Sequence, residues 1–424
     1  MGKSKDIPIS KFQVNAIDVL RMIPDEALAK LATDTRVDYC AKVLTGERMF
    51  YLLLYAFIKC DRISQRRLED YFQLKAFKFL FNQTADGKVS HSSISTRLKK
   101  IDVSFFESAY ELIYSKLSEL YTEDEIADKH IVRIDSSMVS ETCNKLIEGM
   151  INGTYKGASN ARKQLKYTVG FDGFGALLAE ILTEQKYASE DLAMPKVLDA
   201  LISKDKHHQN LYTLDRGFGS LANFKSVVEQ KAEFVGRLKL NRRMQDVRIL
   251  SDESTDKDLG NLELVEDKIV HFYDTEKKGY DDTEFRVIVA KFKQPHNSSR
   301  NGDDTQEREI RLVTNNLTLS AKEIALAYKK RWDIEVFFRF LKQELSFSHL
   351  LSTNENGLKV VLYMTLITAM LVMIYKKRNG IGYSRAKWCF ALDMEDWINM
   401  YTVYITGGDL SLHDTRGLVR TRIP

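Results

Sequence analysis

Only five prolines occur in 424 residues, so Pro-rich linkers and collagen-like segments are excluded. Cysteine is equally scarce. Cys40, Cys60, Cys143 and Cys389 are scattered without a CxxC pair. That spacing argues against a disulfide framework or a zinc knuckle and fits a reducing, cytoplasmic compartment. An excess of one charge is also missing. Lys and Arg total 63 against 59 Asp and Glu, a net charge of +4, which excludes a histone-like polycation or an acidic solvating chain. Nucleic-acid binding stays open, because a basic patch is invisible in a balanced total. Residues 1–10 are polar, so no signal peptide is expected. Long apolar runs reduce to one, residues 360–375, bounded by Lys359 and by Lys376, Lys377 and Arg378. It falls short of the roughly 17–25 residues of a membrane span and contains Thr365 and Thr368. A buried core helix is expected there, with no membrane contact.

What is present is globular: 44% hydrophobic and 29% charged residues. Residues 1–128 read as helical, with apolar spacing from Met49 to Ile58 and from Phe105 to Leu120. Within them, 88–101 resembles the second helix of a helix-turn-helix. Ile94, Leu98 and Ile101 would pack, while Ser93, Thr96, Arg97 and Lys100 would face outward toward DNA. Residues 129–240 change texture. Short strands are expected at 130–134, 166–171, 176–182, 210–214 and 232–238, with Asp172-Gly173 as a hairpin turn and helices at 191–202 and 220–230. The pattern is a mixed α/β sheet with helices packed on it. Residues 241–320 read as a β-rich insertion, with strand-like pieces at 268–273, 285–292 and 309–314 and a loop at 297–305. Ser320 and Glu323 form a capping box that opens a long helix from 321 to about 345. The 321–375 segment and a helical tail, 376–424, complete the chain.

Three acids stand out. Asp135 follows the strand HIVRI and Asp215 follows NLYTL, and a carboxylate at the C-terminal end of a buried strand lies where α/β folds bind ligands. In YKKRWDIEVFFRFLK, Tyr328, Arg331, Glu335, Arg339 and Lys342 share one helical stripe beside an apolar face of Ile334, Phe337, Phe338 and Leu341. A solvated salt-bridge face would explain Glu335 with Arg331 and Arg339, but not the phenol and the added lysine. Three converging carboxylates would hold hard divalent cations such as Mg²⁺, and two such ions drive in-line displacement at phosphorus. The neighbouring cations would hold phosphates. Lys156, Arg162, Lys163 and Lys166 form a second basic run that would contact the DNA backbone.

Tyr328, Arg331, Glu335 and Lys342 match Y-x2-R-x3-E-x6-K, and the chain resembles family four of the bacterial insertion-sequence DDE transposases. Asp135 in IDSSMV and Asp215 in LDRGF resemble that family's first and second catalytic aspartates. The resemblance runs from about His91 to about Tyr375. It implies a ribonuclease-H-like catalytic domain interrupted by a β-rich insertion between Asp215 and Glu335, with a helical N-terminal DNA-binding domain and a helical C-terminal tail. It further implies that Asp135, Asp215 and Glu335 are both catalytic and metal-binding, with two Mg²⁺ ions that Mn²⁺ can replace. Water would nick the element's end, and the freed 3′-hydroxyl would attack target DNA. Tyr328, Arg331 and Lys342 would grip phosphates near the transferred end. The implied partners are double-stranded DNA, as terminal inverted repeats and target, and a second copy in a synaptic homodimer. The implied setting is the bacterial cytoplasm, on the nucleoid when DNA-bound. The family's insertion-region Trp has no counterpart, since Trp332, Trp388 and Trp397 all lie outside 241–320. Phe272, Tyr273 or Tyr280 would stack instead. Two alternatives stand beside this reading: a metal-dependent nuclease without strand transfer, and a transposase-derived DNA-binding protein without catalysis.

Overall fold

A computed structural model describes residues 13–83, 87–120, 130–140, 146, 149–151, 163–251, 255–296 and 307–407. The loop at 297–305, Cys143, Lys156, Arg162 and the last part of the tail lie outside them.

Among the described residues, seven helices precede the sheet: α1 (Ala16–Leu20), α2 (Asp25–Asp34), α3 (Gly46–Lys59), α4 (Gln65–Gln73), α5 (Lys75–Leu80), α6 (His91–Lys100) and α7 (Val103–Ser118). Side-chain caps start several of them. Thr45 accepts from the Arg48 N–H, Ser64 from Arg67 and Ser90 from Ser93. In α6, Ile94 and Leu98 are fully buried, with Ile101 beyond its end, as the packed face requires. Ser93, Thr96 and Lys100 are exposed.

The sheet contains β1 (Ile131–Ser140), β2 (Met150–Ile151), β3 (Lys163–Phe171), β4 (Ala176–Leu182), β5 (Leu211–Leu214), β6 (Glu233–Arg237), β7 (Met244–Ile249), β8 (Leu262–Asp274), β9 (Gly279–His296) and β10 (Glu307–Thr314). Its order is β2-β3-β1-β5-β6-β10-β9-β8-β7, with β4 also on β3. β3 lies antiparallel to β1 and β4, while β1, β5 and β6 run parallel. This is the mixed α/β sheet that the sequence pattern implies. The insertion strands continue the same sheet, because β10 pairs antiparallel with β6. The β3–β4 turn uses Asp172-Gly173 as expected. Gly173 has φ +96°, where a side chain is strained, and the Asp172 carboxylate accepts from the N–H groups of Phe174 and Gly175.

Two helix layers cover the sheet. Helices α8 (Glu190–Lys204) and α9 (Leu221–Glu229) bury Met194, Val197, Leu198, Phe224 and Val227 against Val132, Ile134, Tyr212, Leu214 and Phe234. On the opposite face, α10 (Ala321–Lys330) packs Ile324, Ala325 and Ala327 against Leu211, Val235, Ile288 and Leu312. The Ser320–Glu323 capping box is present. The expected single helix from 321 is instead broken at Arg331, where α10 gives way to α11 (Trp332–Glu344). The 100° stripe therefore does not run unbroken, and Tyr328 belongs to a different helix from Glu335.

Helices α12 (Glu355–Asn379) and α13 (Tyr383–Ile405) follow. The apolar run lies in α12, which is long and apolar enough to cross a membrane by composition but is mostly buried inside the protein. It packs on α3, α6, α7 and α13, in one core with Met49–Ile58, Phe105, Phe106 and Ile113. The boundary drawn at 375/376 thus falls inside α12.

Candidate active site

Strand alternation aims the acids. In β1, Val132 and Ile134 face α8 and α9, so Arg133 and Asp135 face the other way, toward α10 and α11. In β5, Tyr212 and Leu214 also face α8 and α9, which turns Asp215, just past the strand, to the side of Asp135. The two strands are parallel, with Ile134 opposite Leu214 as the last registered pair. Asp135 does not end its strand, which runs to Ser140 against β3. It marks the point where pairing with β5 stops. Glu335 reaches the same place from the first turn of α11, fixed by Ile334, Phe337, Phe338 and Leu341, all buried as expected.

One guanidinium joins all three acids. Arg331 Nη2 donates to Glu335 Oε1 at 2.5 Å, Nη1 lies 3.7 Å from Asp135 Oδ2, and Nε lies 4.0 Å from Asp215 Oδ1. The Arg331 side chain is only 12% exposed. Its Nε and Nη1 are buried without a hydrogen-bond partner, so charge rather than hydrogen bonding holds them. The guanidinium carbon also sits 5.8 Å from the Tyr328 ring centroid.

Electrostatics follow burial. Desolvation pushes the Asp135 carboxyl up to about 7, against the pull of Arg331 and the Ser136 N–H, while Asp215 and Glu190 add to the rise. Burial likewise drives the Tyr328 phenol up to about 12. It lowers the Lys342 ammonium, against the opposing attraction of Asp135. Lys342 Nζ donates to the Met138 carbonyl on β1 at 3.3 Å. Among the described residues, no three His, Cys, Asp or Glu side chains stand close enough to share a metal ion. With Arg331 at the centre, the acids face a cation rather than one another. The donor set itself, three carboxylates and no sulfur or imidazole, suits a hard divalent ion.

Residues 126–371, more than half of the chain, match the family described as transposase DDE domain. The chain belongs to that family. A relative named as an insertion-sequence transposase in Synechocystis sp. is 24% identical over 321 residues, 73% of this chain and 81% of the relative. Another from Geobacillus stearothermophilus is 24% identical over 298 residues, 69% of this chain and 70% of the relative. A Sinorhizobium fredii transposase is 29% identical over 170 residues, 40% of this chain and 44% of the relative. Among solved structures, a piggyBac transposase synaptic complex with hairpin DNA aligns over 95% of this chain and 84% of that chain, at TM-score 0.43 and 12% identity.

Around these three acids the remaining expected residues divide. Arg339 is exposed and lies 6.0 Å from the Trp332 ring centroid, outside the group gathered on Arg331. Lys163 is half-buried, donating to the Leu146 carbonyl at 2.9 Å. Lys166 is no backbone-binding cation: it is buried, with Nζ 2.8 Å from Glu190 Oε1. Arg97 does not face outward either. Its Nε donates to the Leu44 carbonyl at 2.8 Å and its Nη2 to the Val37 carbonyl at 2.6 Å. Phe272 is fully buried in the core and cannot stack on a base, whereas Tyr280 is exposed and meets Tyr273 edge-on.

Three features escaped sequence reasoning. Buried Arg133 reaches from β1 to the helix break, donating to the Lys330 carbonyl and lying 3.2 Å from Asp333 Oδ2. An arginine inside an apolar strand was its only signal. Glu190 accepts from Ser136 Oγ at 2.8 Å on the face behind Asp135, a long-range contact with no local mark. Next to Asp215 in sequence, Arg216 lines a cleft of about 420 Å³ together with Arg237, Lys239, Arg242 and Arg243, against one lining acid, Asp191. Asp191 is already engaged by the N–H groups of Gly219 and Ser220.

Proposed function

We propose that this transposase cuts DNA at the ends of an insertion element and joins the freed 3′-hydroxyl to target DNA. The observation that carries the reading is the convergence of Asp135, Asp215 and Glu335, from two strands and a helix, on the single cation Arg331. In an apolar sheet a designless cluster of three carboxylates would only repel, so a chemistry that needs concentrated negative charge explains it best.

Asp135, Asp215 and Glu335 would hold two divalent ions, Mg²⁺ with Mn²⁺ as a substitute. Bound there, the ions supply activation of the attacking oxygen and charge neutralisation at the leaving oxygen. The chain's own residues do the rest. Arg331 and Lys342 hold the non-bridging oxygens of the scissile phosphate, and Arg is suited to this by its planar fork of donors. Tyr328 packs on the Arg331 guanidinium and limits its directions. The basic cleft of Arg216, Arg237, Lys239, Arg242 and Arg243 carries the DNA backbone past Asp215. On α6, exposed Lys100 would meet element-end DNA.

The test is Glu335→Gln. It should keep binding to a duplex that carries the element's end while losing divalent-ion-dependent cleavage and joining. Undiminished cleavage by that variant would remove Glu335 from the site.

A further inference from the structure

Arg331 is held differently from the buried arginines Arg286 and Arg133, and shares a buried, unbonded Nε with Arg242. Arg286 donates from Nε and Nη2 to both oxygens of Asp267, at 2.9 and 2.6 Å, and from Nη1 to the Leu319 carbonyl at 2.6 Å. That is a committed, two-pronged pair. Arg133 is likewise tied to the carbonyls of Ile131 and Lys330. Arg331 makes one close hydrogen bond, to Glu335, and leaves Nε and Nη1 buried and unbonded between Asp135 and Asp215. A side chain placed for permanent structure would satisfy those donors. One that fills a position by charge alone would not need to.

We propose that Arg331 is a resident counter-cation: in the DNA-free protein it occupies the carboxylate cluster in place of a divalent ion, and it vacates that position when the ion binds. The inference rests on the assignment of Asp135, Asp215 and Glu335 as ion ligands. It adds an order of events. Ion entry and Arg331 withdrawal are one exchange, so the same guanidinium becomes available for phosphate only as the cluster is filled. The exchange keeps a cation beside the three acids at every stage, so their mutual repulsion is always partly offset. It also disfavours cutting before DNA arrives, because ion binding to the free protein must work against Arg331. DNA phosphate, by giving Arg331 a second partner, relieves that competition.

The experiment uses the full chain and Mn²⁺ alone, without DNA, with free Mn²⁺ read by electron paramagnetic resonance. An opposite charge within about 4–6 Å shifts a neighbour's ionic equilibrium by about ten- to a thousand-fold. Arg331→Gln should therefore bind Mn²⁺ at least about ten-fold more tightly than the wild type, and Glu335→Gln added to it should abolish the gain. Arg339→Gln, equal in charge change but outside the cluster, should leave the affinity unchanged. Wild-type affinity in Arg331→Gln, or a gain just as large in Arg339→Gln, would overturn the proposal. A second measurement needs no variant. Modification of Arg331 by an arginine-selective dicarbonyl, followed by peptide mass spectrometry on the wild-type chain, should rise as Mn²⁺ is added. Modification that stays flat or falls through saturation with Mn²⁺ would also overturn it. These readouts do not depend on DNA cleavage. A chain that passes them and still fails to cut DNA would retain the counter-cation and lose the transposition reading.

Discussion

Asp135 and Asp215 stand on neighbouring parallel strands, each one residue beyond the paired positions Ile134 and Leu214. Parallel strands lie about 4.8 Å apart, so the pairing itself sets the spacing of these two acids before any side-chain contact does. Glu335 has no such tie. Its position depends on the helix break at Arg331 and on what fixes that break.

Arg133 fixes the break, by joining β1 to the Lys330 carbonyl and to Asp333. Arg133→Met should lower stability by about 2–4 kcal/mol, through lost buried hydrogen bonds and an unfilled space beside Gly173. Cleavage should fall further than the loss of folded protein explains. Urea unfolding alongside single-turnover cleavage separates the two.

Asp135 has a carboxyl raised by burial to about 7, well above the ordinary 3.8. The folded protein thus holds a proton there more tightly than the unfolded chain does. Its contribution to stability is fully present below about pH 3.8 and is lost as pH rises through about 7. In metal-free buffer, Asp135→Asn should gain on the wild type in melting temperature as pH climbs across that window. A constant difference from pH 4 to 8 would count against the raised carboxyl.

Lys166 is buried beside Glu190, which is partly exposed. Glu190→Gln strands the ammonium and should cost about 2–3 kcal/mol, below the range for fully buried pairs because Glu190 retains some solvent. Adding Lys166→Met should recover part of that loss. Chemical denaturation of the two single variants and the double variant gives the coupling.

Lys100 and Arg97 should behave differently although both lie on α6. Lys100→Ala should leave the melting temperature unchanged, weaken binding to element-end duplex and reduce the salt slope by about 1. Arg97→Ala should lower the melting temperature, since Arg97 bonds the carbonyls of Val37 and Leu44. Thermal melts and salt-titrated binding on the same preparations distinguish them.

Much of this layout was legible beforehand for local reasons. Short strand-like runs located β3, β4, β5 and β6, the Ser320–Glu323 box located the start of α10, and the spacing of Ile94, Leu98 and Ile101 named a packed face. Sequence spacing also picked out the acids that come together. What it could not give was partner choice. Arg97 and Lys166 read as surface cations because charge usually seeks water, yet each meets carbonyls or a carboxylate brought from elsewhere in the fold. The break at Arg331 was hidden because no Pro or Gly marks it. It coincides with contacts that Arg133 makes from β1 to the Lys330 carbonyl and to Asp333, on either side of Arg331. Glu190 and the cleft lined by Arg216 depend on segments that only folding makes neighbours.

The core of the first seven helices is completed by α12, which begins at Glu355, after the whole catalytic sheet has been made. During synthesis the leading helices must therefore wait, unpacked, for most of the chain to leave the ribosome. A chain cut short anywhere before Glu355 would lack the helix that packs on α3, α6 and α7. Such a chain would leave the apolar faces of α3, α6 and α7 uncovered, which marks it for proteolysis.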